Sequence, residues 1–167
     1  MKPNASATWI GDIRRGKGVV TTGSGTLLKS QYFATGDREG KGTNPYELIA
    51  AAHAACFSLT LANELAGSGF TPQRIATTVT VTIELLSDGW TITGLQLDVL
   101  AEAPRAKQVD FVRAAVRAKT NCTISRLLKA NLSMSAKLET SEHRRTPEVR
   151  RRMDSLKVSK TKKKSIG

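Results

Sequence analysis

Asn44-Pro45 opens a segment that leaves the rest of the chain few options. Asparagine caps a helix with its side-chain oxygen, and proline at the first helical position has its φ already set and no N–H to lose. From there to about Ala66 the residues are rich in Ala and Leu and apolar on nearly every side, which predicts a helix buried all round. Gly67 and Gly69 end it. Such a helix of about 22 residues is about 33 Å long. A chain of 167 residues has room for one domain and a tail, so this helix must run through the domain's centre.

The longest apolar stretch, Leu48 to Leu61, is broken by His53, Ser58 and Thr60 and falls short of the unbroken run expected of a membrane span. Met1-Lys2-Pro3-Asn4 lacks the apolar core of a secretory signal. A cytoplasmic protein without membrane contact is the expectation.

The residues before the central helix read as strands. Ala7 to Ile10 is a short apolar start, and Gly18 to Thr22 and Thr26 to Tyr32 flank the hairpin connector Gly23-Ser24-Gly25. Gly36 to Gly42 is a polar loop. After the helix, Arg74 to Leu86 and Trp90 to Ala101 alternate about Ser87-Asp88-Gly89, the strongest hairpin in the sequence. Val109, Val112, Ala115 and Val116 have helical spacing within Gln108 to Lys119. Asn121 can cap a shorter helix carrying Ile124, Leu127 and Leu128, and Leu132 to Leu138 alternates as a closing strand. The fold class expected is α+β, with a largely antiparallel sheet and helices packed on one side.

The net charge of +12 sits unevenly. Residues 140–167 hold ten of the 26 Lys and Arg but three of the 14 Asp and Glu, which makes residues 1–139 the domain and 140–167 a basic tail expected to be disordered. That tail can touch phosphates weakly and non-specifically, but it has no aromatic residue to stack on bases.

Two cysteines invite several readings: buried free thiols, one disulfide, or a catalytic or metal-binding pair. Cys56 lies in the middle of the apolar helix, where a thiol is inert unless something stabilises its thiolate. His53 is three residues earlier on the same face. Cys122 follows the cap at Asn121, where helix N–H groups would favour its own ionisation. Cys56, Cys122, His53 and His143 match a Cys2His2 zinc set in number, without the CxxC pairing of zinc fingers.

Several long motifs then occur in order: Trp9-Ile10-Gly11-Asp12-Ile13-Arg14-Arg15-Gly16-Lys17-Gly18, Gly42-Thr43-Asn44-Pro45-Tyr46-Glu47-Leu48-Ile49, Ala51-Ala52-His53-Ala54-Ala55-Cys56-Phe57-Ser58, Gly69-Phe70-Thr71-Pro72 and Asn121-Cys122-Thr123-Ile124-Ser125. Over about residues 7 to 139 the chain resembles the OsmC/Ohr family, its OsmC branch in particular. The resemblance implies an intertwined homodimer with a mostly antiparallel sheet around the central helix. It also implies a thiol peroxidase that takes organic hydroperoxides, with Cys56 attacking the peroxide, Cys122 resolving the product and an external thiol as reductant. No cofactor or metal is implied, and no nucleotide, haem or flavin motif is present.

The family's pattern also contains an arginine that holds the thiolate and a glutamate that orients it. Gly36 stands where that arginine is expected, with Arg38 the nearest candidate and Arg15 the next; Tyr46 stands at the glutamate's place, with Glu47 beside it. Glu47 precedes Cys56 by nine residues, about 13 Å and half a turn out of phase on one straight helix. It can act only through a long arginine or from another subunit. Thr123 replaces a proline common in the family after the second cysteine. These departures keep open a family member that binds an apolar ligand and catalyses poorly, and the basic tail keeps open a nucleic-acid-associated protein.

Overall fold

The structure is a computed structural model and describes residues 1–34, 42–128 and 131–139. The basic tail and most of the loop that carries Arg38 lie outside the described residues. The element order is β1 (Ala5–Ile10), β2 (Lys17–Thr22), β3 (Ser30–Tyr32), α1 (Pro45–Gly67), β4 (Arg74–Leu86), β5 (Gly89–Glu102), α2 (Gln108–Asn121), α3 (Thr123–Leu127) and β6 (Asn131–Leu138). This is an α+β architecture with two three-stranded sheets, ordered β1-β2-β3 and β4-β5-β6.

The expected start of α1 is realised atom by atom. Asn44 is 8% exposed, and its Oδ1 accepts from the N–H of Tyr46 at 3.0 Å and of Glu47 at 2.9 Å. Pro45 takes the first helical position, and Gly69 leaves the helix at φ 81°. β4 and β5 form the long hairpin, in which Leu86 pairs with Gly89 across a two-residue turn.

Three expectations need correction. β6 runs parallel to β5, while the other three ladders are antiparallel. The two helices between β5 and β6 form a crossover that returns the chain to the end where β5 began, and two strands joined that way align in parallel. β3 is limited to Ser30–Tyr32, because the segment after Gly25 (φ 74°) turns through Lys29 at φ 48° before it pairs. On α2 the valines face out: Val109, Val112 and Val116 are exposed, and Phe111, Ala114, Ala115 and Ala118 form the buried face. Three alanines allow α2 to lie close against α1, where valines would hold it away.

The core joins Phe57, Leu61 and Leu65 of α1 to Leu97, Val99 and Ala101 of β5 and to the small residues of α2. Within one chain α1 is therefore not buried all round. His53, Phe57, Leu61 and Leu65 make the inward stripe. Ala52, Ala55, Ala66 and Leu59, itself 74% exposed, make an outward stripe that is apolar except at Asn63. By length and composition α1 is also long and apolar enough to cross a membrane, contrary to the sequence expectation, although its inward stripe is taken up by this domain's own core.

The N-terminal sheet is thinner. Gly18 is its one buried strand residue, beneath the Tyr32 ring, which lies so close that an added Cβ would collide with the ring carbons. Trp9 packs on the same ring at a centroid distance of 5.6 Å.

Replacing Asn44 by Ala leaves two N–H groups of α1 without their acceptor and is expected to cost about 1 kcal/mol. Asn44→Asp is expected to recover most of it, as read by urea unfolding of the three proteins.

Candidate active site

The α2–α3 junction carries the second cysteine onto α1. Cys122 ends α2, its N–H bonding the carbonyl of Ala118 at 2.9 Å, and its extended backbone (φ −61°, ψ 123°) starts α3 in a new direction. This bend sets the fully buried Cys122 against the half-buried Cys56, and the Cys122 thiol donates to the Cys56 sulfur at 3.2 Å. Both thiols are free. A disulfide needs about 2.05 Å, so closure asks for a movement of about 1 Å.

The same bend aims the first polar groups of α3 at Cys56. Thr123 Oγ1 lies 3.3 Å from the sulfur. Burial pushes the Cys56 thiol up, but the Thr123 hydroxyl, the Ile124 N–H, the Cys122 thiol and the Thr123 N–H together outweigh it and bring the pKa down to about 7. At pH 7 such a thiol is about half ionised, against about 3% for an ordinary cysteine near 8.5.

Behind the sulfurs, His53 is 0% exposed and its Nε2 pairs with Ser125 Oγ at 2.8 Å, a second tie between α1 and α3 one turn from the first. Its Nδ1 is buried without a partner among the described residues. Burial holds the ring below its usual value near 6.5, which makes it neutral at pH 7. Further along α1, Glu64 accepts from Arg117 Nε at 2.7 Å and from Asn121 Nδ2 at 2.8 Å, fastening the end of α2 to α1.

The structure brings two of the four predicted site residues together: Cys56 and Cys122. Arg38 lies outside the described residues. Glu47 is exposed and does not reach Cys56; its Oε2 accepts from Thr43 Oγ1 at 2.8 Å, and it borders a cavity of about 670 Å³ with Tyr46, Val79, Val81 and Trp90. Arg15 stays in an exposed turn, its N–H bonded by Asp12 Oδ1 at 3.0 Å. Among the described residues no arginine contributes to lowering the Cys56 thiol.

Two assignments made from sequence are reversed. The N–H groups of α3 serve Cys56 rather than Cys122, and Asn121 ties α2 to Glu64 instead of capping α3. Sequence reasoning missed Thr123 as a partner of the thiol, although the signal was present: a hydroxyl directly after the second cysteine, where the family commonly has proline.

An α+β fold that holds two free thiols in contact, one of them half ionised at neutral pH, defines a protein of cysteine redox chemistry. The family model described as OsmC-like protein matches residues 38–137. Peroxiredoxin OsmC of Escherichia coli (strain K12) is 42% identical over 135 residues, covering 80% of this chain and 94% of that protein; Peroxiredoxin OsmC of Shigella flexneri matches equally. Among solved structures, an OsmC-like protein from Mycoplasma pneumoniae superposes with a TM-score of 0.70 at 14% identity, over 84% of this chain and 99% of that one. The organic hydroperoxide resistance protein OsmC from Legionella pneumophila superposes with a TM-score of 0.60 at 23% identity, over 82% and 97%. The chain belongs to the OsmC family, and the fold expected from the sequence resemblance is the fold it has.

The rate of Cys56 alkylation by iodoacetamide is expected to rise with pH through a midpoint of about 7 and to level off above it, since only the thiolate reacts. Cys56→Ser should remove this titration, and a midpoint above about 8.5, the ordinary thiol value, would contradict the geometry.

Proposed function

We propose that this OsmC-family protein is a cysteine-based peroxidase that reduces organic hydroperoxides to alcohols in oxidative-stress defence. The class is that of its 42% identical relatives, and the carrying observation is the 3.2 Å contact between a thiol of pKa about 7 and a second, fully buried thiol.

In the first step the Cys56 thiolate attacks the terminal peroxide oxygen. The O–O bond breaks, the alkoxide takes a proton to leave as the alcohol, and Cys56 becomes a sulfenic acid. Cys122 then condenses with it, forming the disulfide and releasing water; two thiols of an external reductant restore both cysteines and leave as their own disulfide. An alkyl tail gains by leaving water for apolar surroundings, which favours organic peroxides over H2O2.

Arg38 and Glu47 enter this reading through the family resemblance, Arg38 as the cation at the thiolate and Glu47 as the carboxylate that orients it. With Glu47 at the start of α1 and Cys56 at its middle, the two act together only if a long arginine bridges them or a second chain supplies one. The exposed apolar stripe of α1, with Leu59 at its centre, supports a homodimer in which a second copy covers it. Residues 1–139 constitute the peroxidase domain of this reading, and its setting is the cytoplasm.

Steady-state turnover of cumene hydroperoxide against H2O2, with a dithiol reductant, tests the proposal. Higher kcat/KM is expected for cumene hydroperoxide. Cys56→Ser should abolish turnover, and Cys122→Ser should stop after one equivalent with a sulfenic acid that a dimedone probe traps. Negligible turnover of both peroxides by fully reduced protein refutes the reading. Leu59→Glu is expected to convert a dimer to a monomer in light scattering and to lower turnover; an unchanged mass would place the dimer interface elsewhere.

A further inference from the structure

Thr123 stands out once the surroundings of Cys56 are followed element by element. Among the described residues the Cys56 sulfur has two side-chain partners, the Cys122 thiol at 3.2 Å and the Thr123 hydroxyl at 3.3 Å. Cys122 is the second thiol of the reaction, which leaves Thr123 as the one side chain at the sulfur, among the described residues, that no step of that reaction has yet used. Its hydroxyl has no other partner among the described residues. It does not cap α3, whose cap position is Cys122, and a β-branched residue is a poor choice for helix stability.

We propose that Thr123 is a catalytic residue of this chain: its hydroxyl donates a hydrogen bond to the Cys56 sulfur and holds it as the thiolate that attacks the peroxide. The assignment rests on the peroxidase reading and deepens it. An ionised sulfur has lone pairs and no proton, so in the contact that matters the hydroxyl donates and the sulfur accepts. Hydrogen bonds to a charged partner are about twice as strong as neutral ones, so the contact favours the thiolate over the thiol. The N–H groups of Thr123 and Ile124 point the same way.

Among the described residues no charged side chain contributes to lowering the Cys56 thiol. On α1 itself His53 is turned to Ser125, and β4 presents Thr77 to Ser58 at 2.8 Å. On α2, Arg117 is paired to Glu64, eight residues beyond Cys56, and Lys119 donates to the Leu132 carbonyl. Thr123 directly follows Cys122, so one bend of the backbone delivers both the thiolate's donor and the resolving thiol. The two arrive together, and the sulfur is activated in the conformation from which a disulfide can close.

The test is the pH profile of Cys56 alkylation by iodoacetamide in the full chain, with the adduct located by mass spectrometry. Thr123→Val keeps the shape and removes the hydroxyl, and Thr123→Ser keeps the hydroxyl and removes a methyl. The valine variant is expected to raise the midpoint by about one pH unit, a tenfold loss of thiolate below both midpoints, while serine stays at the wild-type value. A valine midpoint equal to wild type, or a serine midpoint shifted as far as valine, overturns the assignment. If circular dichroism shows that valine disturbs the fold, Thr123→Ala is read by the same criterion. The rate with cumene hydroperoxide should fall tenfold in the valine variant at low pH and converge on wild type above both midpoints. Absence of peroxide turnover in the wild type would refute the peroxidase reading and leave the alkylation test of Thr123 intact.

Discussion

Every N–H in the middle of α1 is committed to the carbonyl four residues earlier, so Cys56 has no backbone donor of its own. Burial alone would keep its proton in place. The donors therefore come from outside the helix, and α3 brings them: a hydroxyl and two N–H groups that no longer belong to α2 and are not yet bonded within α3. The site exists because the chain bends at Cys122 at the point where α2 comes to rest on α1.

That bend is held in place by packing as much as by hydrogen bonds. Phe111, Ala114, Ala115 and Ala118 seat α2 on the inward stripe of α1, and the Glu64 carboxylate draws in Arg117 and Asn121 at the end of α2. His53 and Ser125 then hold α3 from behind. Parallel pairing of β6 with β5 closes the crossover and fixes where its helices lie. A contact of 3.2 Å between sulfurs 66 residues apart is the product of all four restraints.

The same arrangement leaves the surface incomplete. One side of α1, with Leu59, and the N-terminal sheet, with Ile10, carry apolar residues that are exposed among the described residues. A helix that is apolar on nearly every side but packed on one leaves its other stripe in water unless a second copy shields it, in keeping with the homodimer proposed above. Glu47 stands at the start of α1, remote from Cys56, and its carboxylate accepts from Thr43.

Local chemistry was legible in the sequence wherever one residue type has one physical use. Asn44-Pro45 marked the start of α1, Gly67 and Gly69 its end, the alternation about Ser87-Asp88 the long hairpin, and the family motifs singled out Cys56 and Cys122. The direction of β6, the buried face of α2 and the partners of the Cys56 sulfur were not legible, because each depends on how one element lies against another. Valines and alanines share a helical period on α2, and only contact with α1 decides which stripe turns inward. Likewise the N–H groups after Cys122 were readable as donors, but their acceptor is set by the bend that points them at a different cysteine. Spacing determines which groups a segment offers, and tertiary structure decides which atom receives them, since a hydrogen bond depends on distance and angle that sequence separation does not record.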